Sequence, residues 1–579
     1  MTVGTWHGVT LVLTVIAVAA FALRIVGLQF GLPAVYNPDE VAIMARALAF
    51  AKGSLNPHNF LYPSLYFYVL FCWVGAYLAF VWLSGRVDSI DALQRLYFTD
   101  PAGIYTAGRA LGAVAGTATV LLVYSLSARL ADRRTALATA IFMAVAPLSV
   151  RDSHYVKHDV FATMLILAAY IAMVRVWPGV GPRTSTRRDV VIAAAVCGAA
   201  FSTHYYCVFL ALPLAWVVCQ ARRPHGWYAV IREIAIAGVT MIAIFLLLSP
   251  FIVVEPHIAW RDITANRAIV VDRAVATGPF VPALRYLQIL WGESIGWPVV
   301  LLGVAGALGM IAAAPSRAVL LLSFTVPFFA FISNTVPASR YLNPLLPFVA
   351  LFAGWAMSSL AGRLRIAAPL FWMAVAACAA PGAISSLRTD LFFRQADTRT
   401  LAHEYIERNV PAGSTVLVQP YSAPLTPSRD GLVEALSRNL GNIESASAKF
   451  QLQLTLNPYP APAYRLIYLG HGGLDADKIY VDYAELGGAM GLRALRGLGV
   501  AFVVVKRYNR PDPETTPFLD ALAREGRRMA VFSPYRRDVS EAERTRIDPF
   551  LHNTDARIDG ALERPGPPLE IWQLDDPGS

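Results

Sequence analysis

Apolar side chains recur in runs of about 20 residues between residues 9 and 386, the length a helix needs to cross hydrocarbon. A first helix is expected over about residues 9–30, and ten further crossings over about 106–129, 135–150, 159–177, 189–202, 204–220, 228–250, 293–313, 317–334, 341–361 and 366–386. Short connections rich in arginine separate them: Arg129-Arg133-Arg134, Arg183-Arg187-Arg188, Arg222-Arg223 and Arg363-Arg365, with Arg317 marking a fifth. Basic loops face the cytoplasm, so the crossings between them must come in even numbers, and they do. The segment 61–83 is apolar enough to span but breaks that parity. It is therefore expected at the interface, without a net crossing, with Tyr62, Tyr66 and Tyr68 at headgroup level. The count is about 11 crossings, the amino terminus inside and the carboxyl terminus outside.

From about residue 387 the pattern changes. Short β-branched runs at Thr415–Val418, Arg465–Leu469, Val500–Val505 and Leu569–Leu574 alternate with amphipathic stretches such as Thr400–Asn409 and Phe518–Arg527. Such alternation predicts a small α/β domain. The chain thus divides into a polytopic α-helical membrane module, residues 1–386, and an extracytoplasmic α/β domain, residues 387–579. That domain shows no glycine-rich phosphate loop, Ser-His-Asp spacing or nucleotide fingerprint. The connection 251–285 is a second external piece, polar and mixed in charge: Arg261, Arg267, Arg273 and Arg285 against Glu255, Asp262 and Asp272.

Composition agrees. The 579 residues are 56% hydrophobic and only 15% charged, with a mean hydropathy of +0.49. The formal charge of +10 comes from 49 basic and 39 acidic residues; in a membrane protein it reflects cytoplasmic arginines, and no nucleic-acid partner is expected. The five cysteines, Cys72, Cys197, Cys207, Cys219 and Cys378, lie in apolar segments without CxxC spacing, which suggests neither a disulfide framework nor a zinc site. The first ten residues lack the Lys or Arg of a signal peptide, so the first helix is read as retained.

Against this background three polar clusters stand out. Val35-Tyr36-Asn37-Pro38-Asp39-Glu40-Val41 puts two adjacent carboxylates at a membrane surface, where ionised groups are costly and tend to be functional. The heptapeptide also reads as a helix N-terminus, with Asn37 the N-cap, Pro38 the first helical residue and both acids at the positive end of the dipole. The two readings are compatible, and spacing alone does not separate them. Arg151-Asp152-Ser153-His154-Tyr155-Val156-Lys157-His158-Asp159 falls on the same expected face. It is either a solvated loop or a phosphate cradle in which Lys157, His154 and His158 hold the anion and Asp152 or Asp159 orients them. A metal site from His154, His158 and Asp159 lacks an evident third fixed ligand, and no metal is expected. Pro337-Ala338-Ser339-Arg340-Tyr341-Leu342-Asn343-Pro344 offers Arg340, a snorkelling anchor or a bidentate phosphate clamp. His58, Tyr62 and His204 read as interfacial anchors. Together the clusters place a carboxylate to deprotonate an acceptor and cations to stabilise a departing phosphate on one face of the membrane.

These residues resemble a known family. Val35 to Glu40 is similar to the Asp-Glu signature in the first external loop of the glycosyltransferase-C superfamily, in the branch containing protein O-mannosyltransferases and the aminoarabinose transferase of lipid A. Tyr62-Pro63-Ser64-Leu65-Tyr66 resembles that branch's Pro-Pro-Leu-Tyr interfacial helix, and Gly108-Arg109-Ala110-Leu111 through Ala131-Asp132-Arg133-Arg134 its next helix and basic loop. The 151–159 cluster stands at its second external motif, whose closing Asp is matched by Asp159; the family usually has Arg before that Asp, and His154 stands near that place here. Arg340-Tyr341 with Pro344 and Pro347 resembles its Arg-Tyr-x-x-Pro-x-x-Pro helix start. Asp397-Thr398-Arg399 and Pro565-Gly566-Pro567 fit the start and close of its external domain. The resemblance implies an inverting glycosyltransferase with a polyprenyl-phosphate sugar donor and no nucleotide; no cofactor is expected, and the acceptor is a glycan, lipid or protein. Asp39 would be the base and Glu40 its helper or a hold on the acceptor. Lys157, His154, His158, Asp159, Arg340 and Tyr341 would form the donor pocket. The alternative from another class is a lipid-linked-sugar transporter or flippase, which would keep its ionisable groups near mid-bilayer on broken helices in repeated halves; no repeat is visible.

Overall fold

The computed structural model describes residues 3–180, 185–268, 271, 280–472, 475–486, 491–508, 510, 513–551 and 558–574. Arg183, Asp272 and Arg273 lie outside the described residues. Eight described helices are long and apolar enough to cross a membrane, and a ninth results if Val281–Ser294 and Trp297–Ala313, bent by 120°, form one span. The expected crossings at 9–30, 135–150 and 189–202 are shorter helices, with an apolar stretch Val9–Ile25 and helices Arg133–Ala144 and Arg187–Phe201.

The helices that build the site come first in the chain: α1 (Val3–Ile25), α2 (Pro38–Ala49), α3 (Leu65–Leu83), α4 (Ile90–Thr99), α5 (Ala102–Leu130), α6 (Arg133–Ala144), α7 (Pro147–Asp152) and α8 (His158–Val176). α5 has 29 residues; at 1.5 Å per residue it is about 43 Å long, well over the roughly 30 Å of hydrocarbon. Its amino-terminal third carries α3. Tyr77 meets Gly103 and Leu70 meets Gly108, and the Trp73 indole donates to the Ala107 carbonyl at 2.8 Å. Length and composition would let α3 span, yet it runs antiparallel to the start of α5, on the side of α2. It is apolar all round, with Trp73, Phe80, Trp82 and Leu83 turned outward. Further along α5, Val120, Val123 and Leu126 join Phe142, Ile166, Phe324 and Phe348 in the main membrane core.

The arginine-rich connections pair with one another. Asp132 caps α6 through the Thr135 N–H at 2.7 Å and accepts from Ser358, near Arg363, at 3.0 Å. Glu233 pairs with Arg187 at 2.9 Å and lies 4.0 Å from Arg222. Arg232 lies 3.3 Å from it as well, so three arginines converge on this one buried carboxylate.

The last apolar helix, Ala368–Phe393, continues past the expected domain break at residue 386. The sheet beyond it has six strands, β1 (Thr415–Val418), β2 (Arg465–Leu469), β3 (Tyr480–Val481), β4 (Val500–Lys506), β5 (Gly526–Phe532) and β6 (Leu569–Leu574), in the order β3-β2-β1-β4-β6-β5. β1, β2, β3 and β4 are parallel; β6 joins β4 and β5 antiparallel. Alternation along the strands splits the core. Leu417, Val503 and Val505 pack with Phe518 and Leu522 of helix Thr516–Glu525 on one face. Val416, Val418 and Val504 pack with Ala402 and Ile406 of helix Thr398–Asn409 on the other.

The two modules meet at the start of the external helix. Arg399 is held by Asp397 at 2.7 Å and stacks over Tyr36 at 3.8 Å, while the Tyr36 hydroxyl bonds Thr400 at 2.7 Å. Gly566, with φ +101, lets the bend before β6 close against Asp397 and Thr398, where a Cβ would collide. An aromatic cluster of Phe30, Tyr155, Phe393 and Phe550 fills the space beside them.

Candidate active site

Asn37 accepts the Asp39 N–H at 3.0 Å and Pro38 opens α2, so the capping reading of this segment holds in the structure. The cap also fixes where the two carboxylates go, because successive helical residues point about 100° apart.

Glu40 turns inward and is fully buried. Both its oxygens take the Arg109 guanidinium, at 3.0 and 2.9 Å, and one also accepts the Val156 N–H at 2.9 Å. Arg109 completes its donor set on the Leu28 and Phe30 carbonyls, at 2.8 and 2.9 Å, and lies over the Phe30 ring at 4.1 Å. The expected helper or acceptor-holding role therefore gains no support from this geometry, in which every bond of Glu40 is made inside the protein. Glu40 ties together the loop after α1, the body of α5 and the connection 153–157. Gly112 on α5 makes room for that connection, since a Cβ there would sit 2.7 Å from the Ser153 carbonyl oxygen.

Asp39, the preceding residue, faces outward with its side chain 46% exposed. Lys157, the neighbour of Val156, reaches it: Nζ lies 2.8 Å from Oδ2 in a side chain only 4% exposed. One buried carboxylate, Glu40, therefore sets the register of both the exposed acid and the lysine beside it. Burial, with Arg340 close by, pulls the Lys157 pKa below the usual lysine range, and Asp39 partly restores it.

A second buried cluster brings in Arg340. Arg151 pairs with Asp152 at 2.7 Å and donates to the Ser339 hydroxyl at 2.9 Å. Asp152 accepts from Asn343 at 2.6 Å, and Asn343 also donates to the Arg340 carbonyl at 3.0 Å. These bonds pin the turn Ser339–Leu345 to the end of α7. Arg340 then stands 3.8 Å from Asp39 and 4.0 Å from Asp159, with its guanidinium 5.1 Å from the Tyr341 ring.

The remaining expected residues divide. Asp159 is at the site, nearly buried behind Arg340, with its Oδ1 lacking a hydrogen-bond partner among the described residues. His158 is buried under aromatic rings, stacked on Tyr62 at 4.3 Å and beside Tyr66 and Phe67. It forms the floor, and its Nε2 makes no hydrogen bond among the described residues. His154 faces elsewhere. Its nitrogens meet the Val150 and Val26 carbonyls at 2.9 and 2.8 Å, with Asp390 3.8 Å away. Expected in the donor pocket, it sits here at a helix junction, with both nitrogens on backbone carbonyls. His154, His158 and Asp159 do not converge as metal ligands, and no group of three His, Cys, Asp or Glu suited to a metal occurs among the described residues. Tyr62 and His204, read as interfacial anchors, instead pack edge to face at 5.2 Å in the wall beside His158.

Sequence reasoning gave no role to Arg109, although an arginine within a long apolar run is itself a signal that a buried acid awaits it. Asn343 and Ser339 carried no signal beyond their nearness to Arg340.

Comparison with known proteins agrees with this architecture. Residues 105–260 match the family model described as dolichyl-phosphate-mannose-protein mannosyltransferase. No curated protein matches the chain by sequence. Among solved structures, ArnT from Cupriavidus metallidurans in the apo state superimposes with a TM-score of 0.51 at 13% identity, over 91% of this chain and 96% of that one. ArnT bound to undecaprenyl phosphate gives 0.50 at 14% identity, over 92% and 97%. The oligosaccharyltransferase AglB from Archaeoglobus fulgidus, in complex with an inhibitory peptide and a dolichol-phosphate, gives 0.52 at 10% identity, over 99% and 89%. The chain is a multi-pass membrane protein that shares the fold of ArnT and AglB, and its residues 105–260 match the mannosyltransferase family model.

Proposed function

We propose that this protein is an inverting glycosyltransferase that moves a sugar from a polyprenyl-phosphate donor to an acceptor on the extracytoplasmic side. The observation that carries this reading is the half-exposed Asp39, 2.8 Å from buried Lys157 and 3.8 Å from Arg340, in a fold shared with proteins solved with undecaprenyl phosphate and dolichol-phosphate.

The donor phosphate competes with Asp39 for Lys157 and Arg340. As these cations turn to the phosphate, Asp39 loses its ion pairs and becomes more basic. It then accepts the proton of the acceptor hydroxyl while that oxygen bonds the anomeric carbon. The bond from the anomeric carbon to the phosphate oxygen breaks, and its electron pair leaves with the phosphate, where Lys157 and Arg340 offset the added charge. Asp159 keeps Arg340 aimed, and the floor of His158 and Tyr62 excludes water below the sugar. Asp39 is the outward-facing carboxylate of this cluster, with Asp159 behind Arg340 and Glu40 locked away, which suits single displacement with inversion. The flippase alternative gains no support: the acid and both cations sit at segment ends rather than at mid-span.

The test is direct. Purified protein in lipid nanodiscs, given a radiolabelled polyprenyl-phosphate hexose and an extract of envelope acceptors, should release lipid phosphate and label an acceptor. Movement of the intact donor across the bilayer without cleavage would point to transport instead.

A further inference from the structure

The external domain contains a second polar cleft, remote in sequence from the Asp39 cluster. β1 pairs in parallel with β2 on one side and β4 on the other. The chain therefore leaves β1 toward β2 and β3 and returns to β1's opposite edge as β4. Loops diverge where strand order reverses in this way, and ligands of open α/β sheets bind there, beyond the carboxyl ends of the strands. At that point lies a cleft of about 630 Å³, within the range of small-ligand sites.

Its lining is built from the two strand ends. Gln419, just after β1, accepts the Lys506 N–H at 2.7 Å and donates to the Tyr483 hydroxyl at 3.0 Å, which clips three segments into one wall. Lys506, Arg507 and Arg510 face the cleft against one carboxylate, Glu541. Arg510 is used structurally, on the Thr545 carbonyl at 2.6 Å and on Asp548 at 3.2 Å. The Lys506 ammonium and the Arg507 guanidinium make no hydrogen bond or ion pair with any described residue. Lys506 is partly buried, and that burial, with the charge of Arg399 nearby, lowers its pKa. Two partly buried cations left facing a cavity are costly unless an anion completes them. Tyr483 and Tyr508 add phenol rings, and Gln419 an amide, for hydroxyl groups. The loop after β1, Gln419-Pro420-Tyr421-Ser422, lacks the glycines of a nucleotide cradle, so recognition falls to side chains.

We infer that this cleft binds an anionic saccharide, a sugar bearing phosphate or carboxylate, with Lys506 and Arg507 holding the charge. Lys506 lies within electrostatic reach of Arg399, and Arg399 stacks on Tyr36, three residues before Asp39. That continuity makes the anionic part of a transfer acceptor the natural occupant; this last step rests on the proposed transferase reading, whereas binding itself does not.

The experiment is calorimetric titration of the full chain in neutral-lipid nanodiscs, without donor, using glucose 6-phosphate, glucuronate, glucose and inorganic phosphate. Glucose 6-phosphate and glucuronate should bind and glucose should not. Lys506→Gln/Arg507→Gln should weaken both anionic sugars at least about tenfold, and Arg507→Gln alone about threefold. The binding that the double variant removes should persist in Lys157→Gln. Neither substituted cation holds a structural bond, so the variants should melt as the wild type does. Absence of binding, or loss in Lys157→Gln with retention in the double variant, overturns the inference. Inorganic phosphate binding as tightly as the sugar phosphate overturns the saccharide class. Because no donor is present, failure here leaves the Asp39 transfer assay unaffected, and the two readings fail separately.

Discussion

Glu40 distinguishes positioning from chemistry within one dipeptide. Glu40→Ala removes two contacts to Arg109 and one to the Val156 N–H and leaves a fully buried guanidinium with only backbone carbonyls and the Phe30 ring as partners. Breaking a buried ion pair from one side costs about 3–5 kcal/mol, more than the pair itself contributes, because the orphaned charge stays desolvated. Glu40→Ala/Arg109→Met removes both charges and should be less damaging than the single changes summed, with a coupling of about 2 kcal/mol. Thermal unfolding in detergent measures these differences. Glu40→Gln keeps an acceptor for Val156 and tests function below its lowered melting temperature. Donor affinity should weaken because Lys157 loses its register, while the pH profile keeps its shape because the base is untouched. A Glu40→Gln protein that melts like the wild type, binds donor normally and never turns over would refute the positioning role and return Glu40 to the chemistry.

Other outcomes follow from the same geometry. With its pKa pulled below the usual lysine range by burial, Lys157 gives up its proton as pH rises through that lowered value. The alkaline limb of kcat/KM should then lie below the roughly 10.4 of a free lysine, and Lys157→Arg should move it out of range; identical limbs would contradict the assignment. Asn343→Ala strips a bond from Asp152 and the hold on the Arg340 carbonyl. It should cost about 1–3 kcal/mol of stability and weaken donor affinity, read by titration with polyprenyl phosphate. Gly566→Ala forces a Cβ against Asp397 and Thr398 at φ +101. It should lower the melting temperature and expose the linker near residue 395 to limited proteolysis, at a cost of about 1–3 kcal/mol.

Much of this architecture is legible along the chain because lipid and sheet impose strong periodicities. The runs of β1, β2 and β6 appear in the sequence at their structural bounds, and β4 to within one residue, since each is β-branched and half or fully buried. β3 has two residues, too few for a pattern, and β5 carries Arg527 and Arg528 on an edge, where exposed charge hides the strand. For the site, the three clusters could be found because polar residues interrupt apolar runs. Their division of labour could not. Adjacent Asp39 and Glu40 are equivalent in sequence, and only the arginine 69 positions away on α5 makes one of them structural. His154 and His158 look like a pair at helical spacing, yet one turns to backbone carbonyls and the other under Tyr62. Long-range partners, invisible to local pattern, decide each case.

The most direct test of the account is single-turnover release of lipid phosphate by Asp39→Asn. The variant should fold, and with its lysine freed from a carboxylate it should bind polyprenyl phosphate at least as tightly as the wild type, yet it should transfer almost no sugar. Wild-type rates of transfer by a folded, donor-saturated Asp39→Asn protein would contradict the claim that this side chain takes the acceptor's proton.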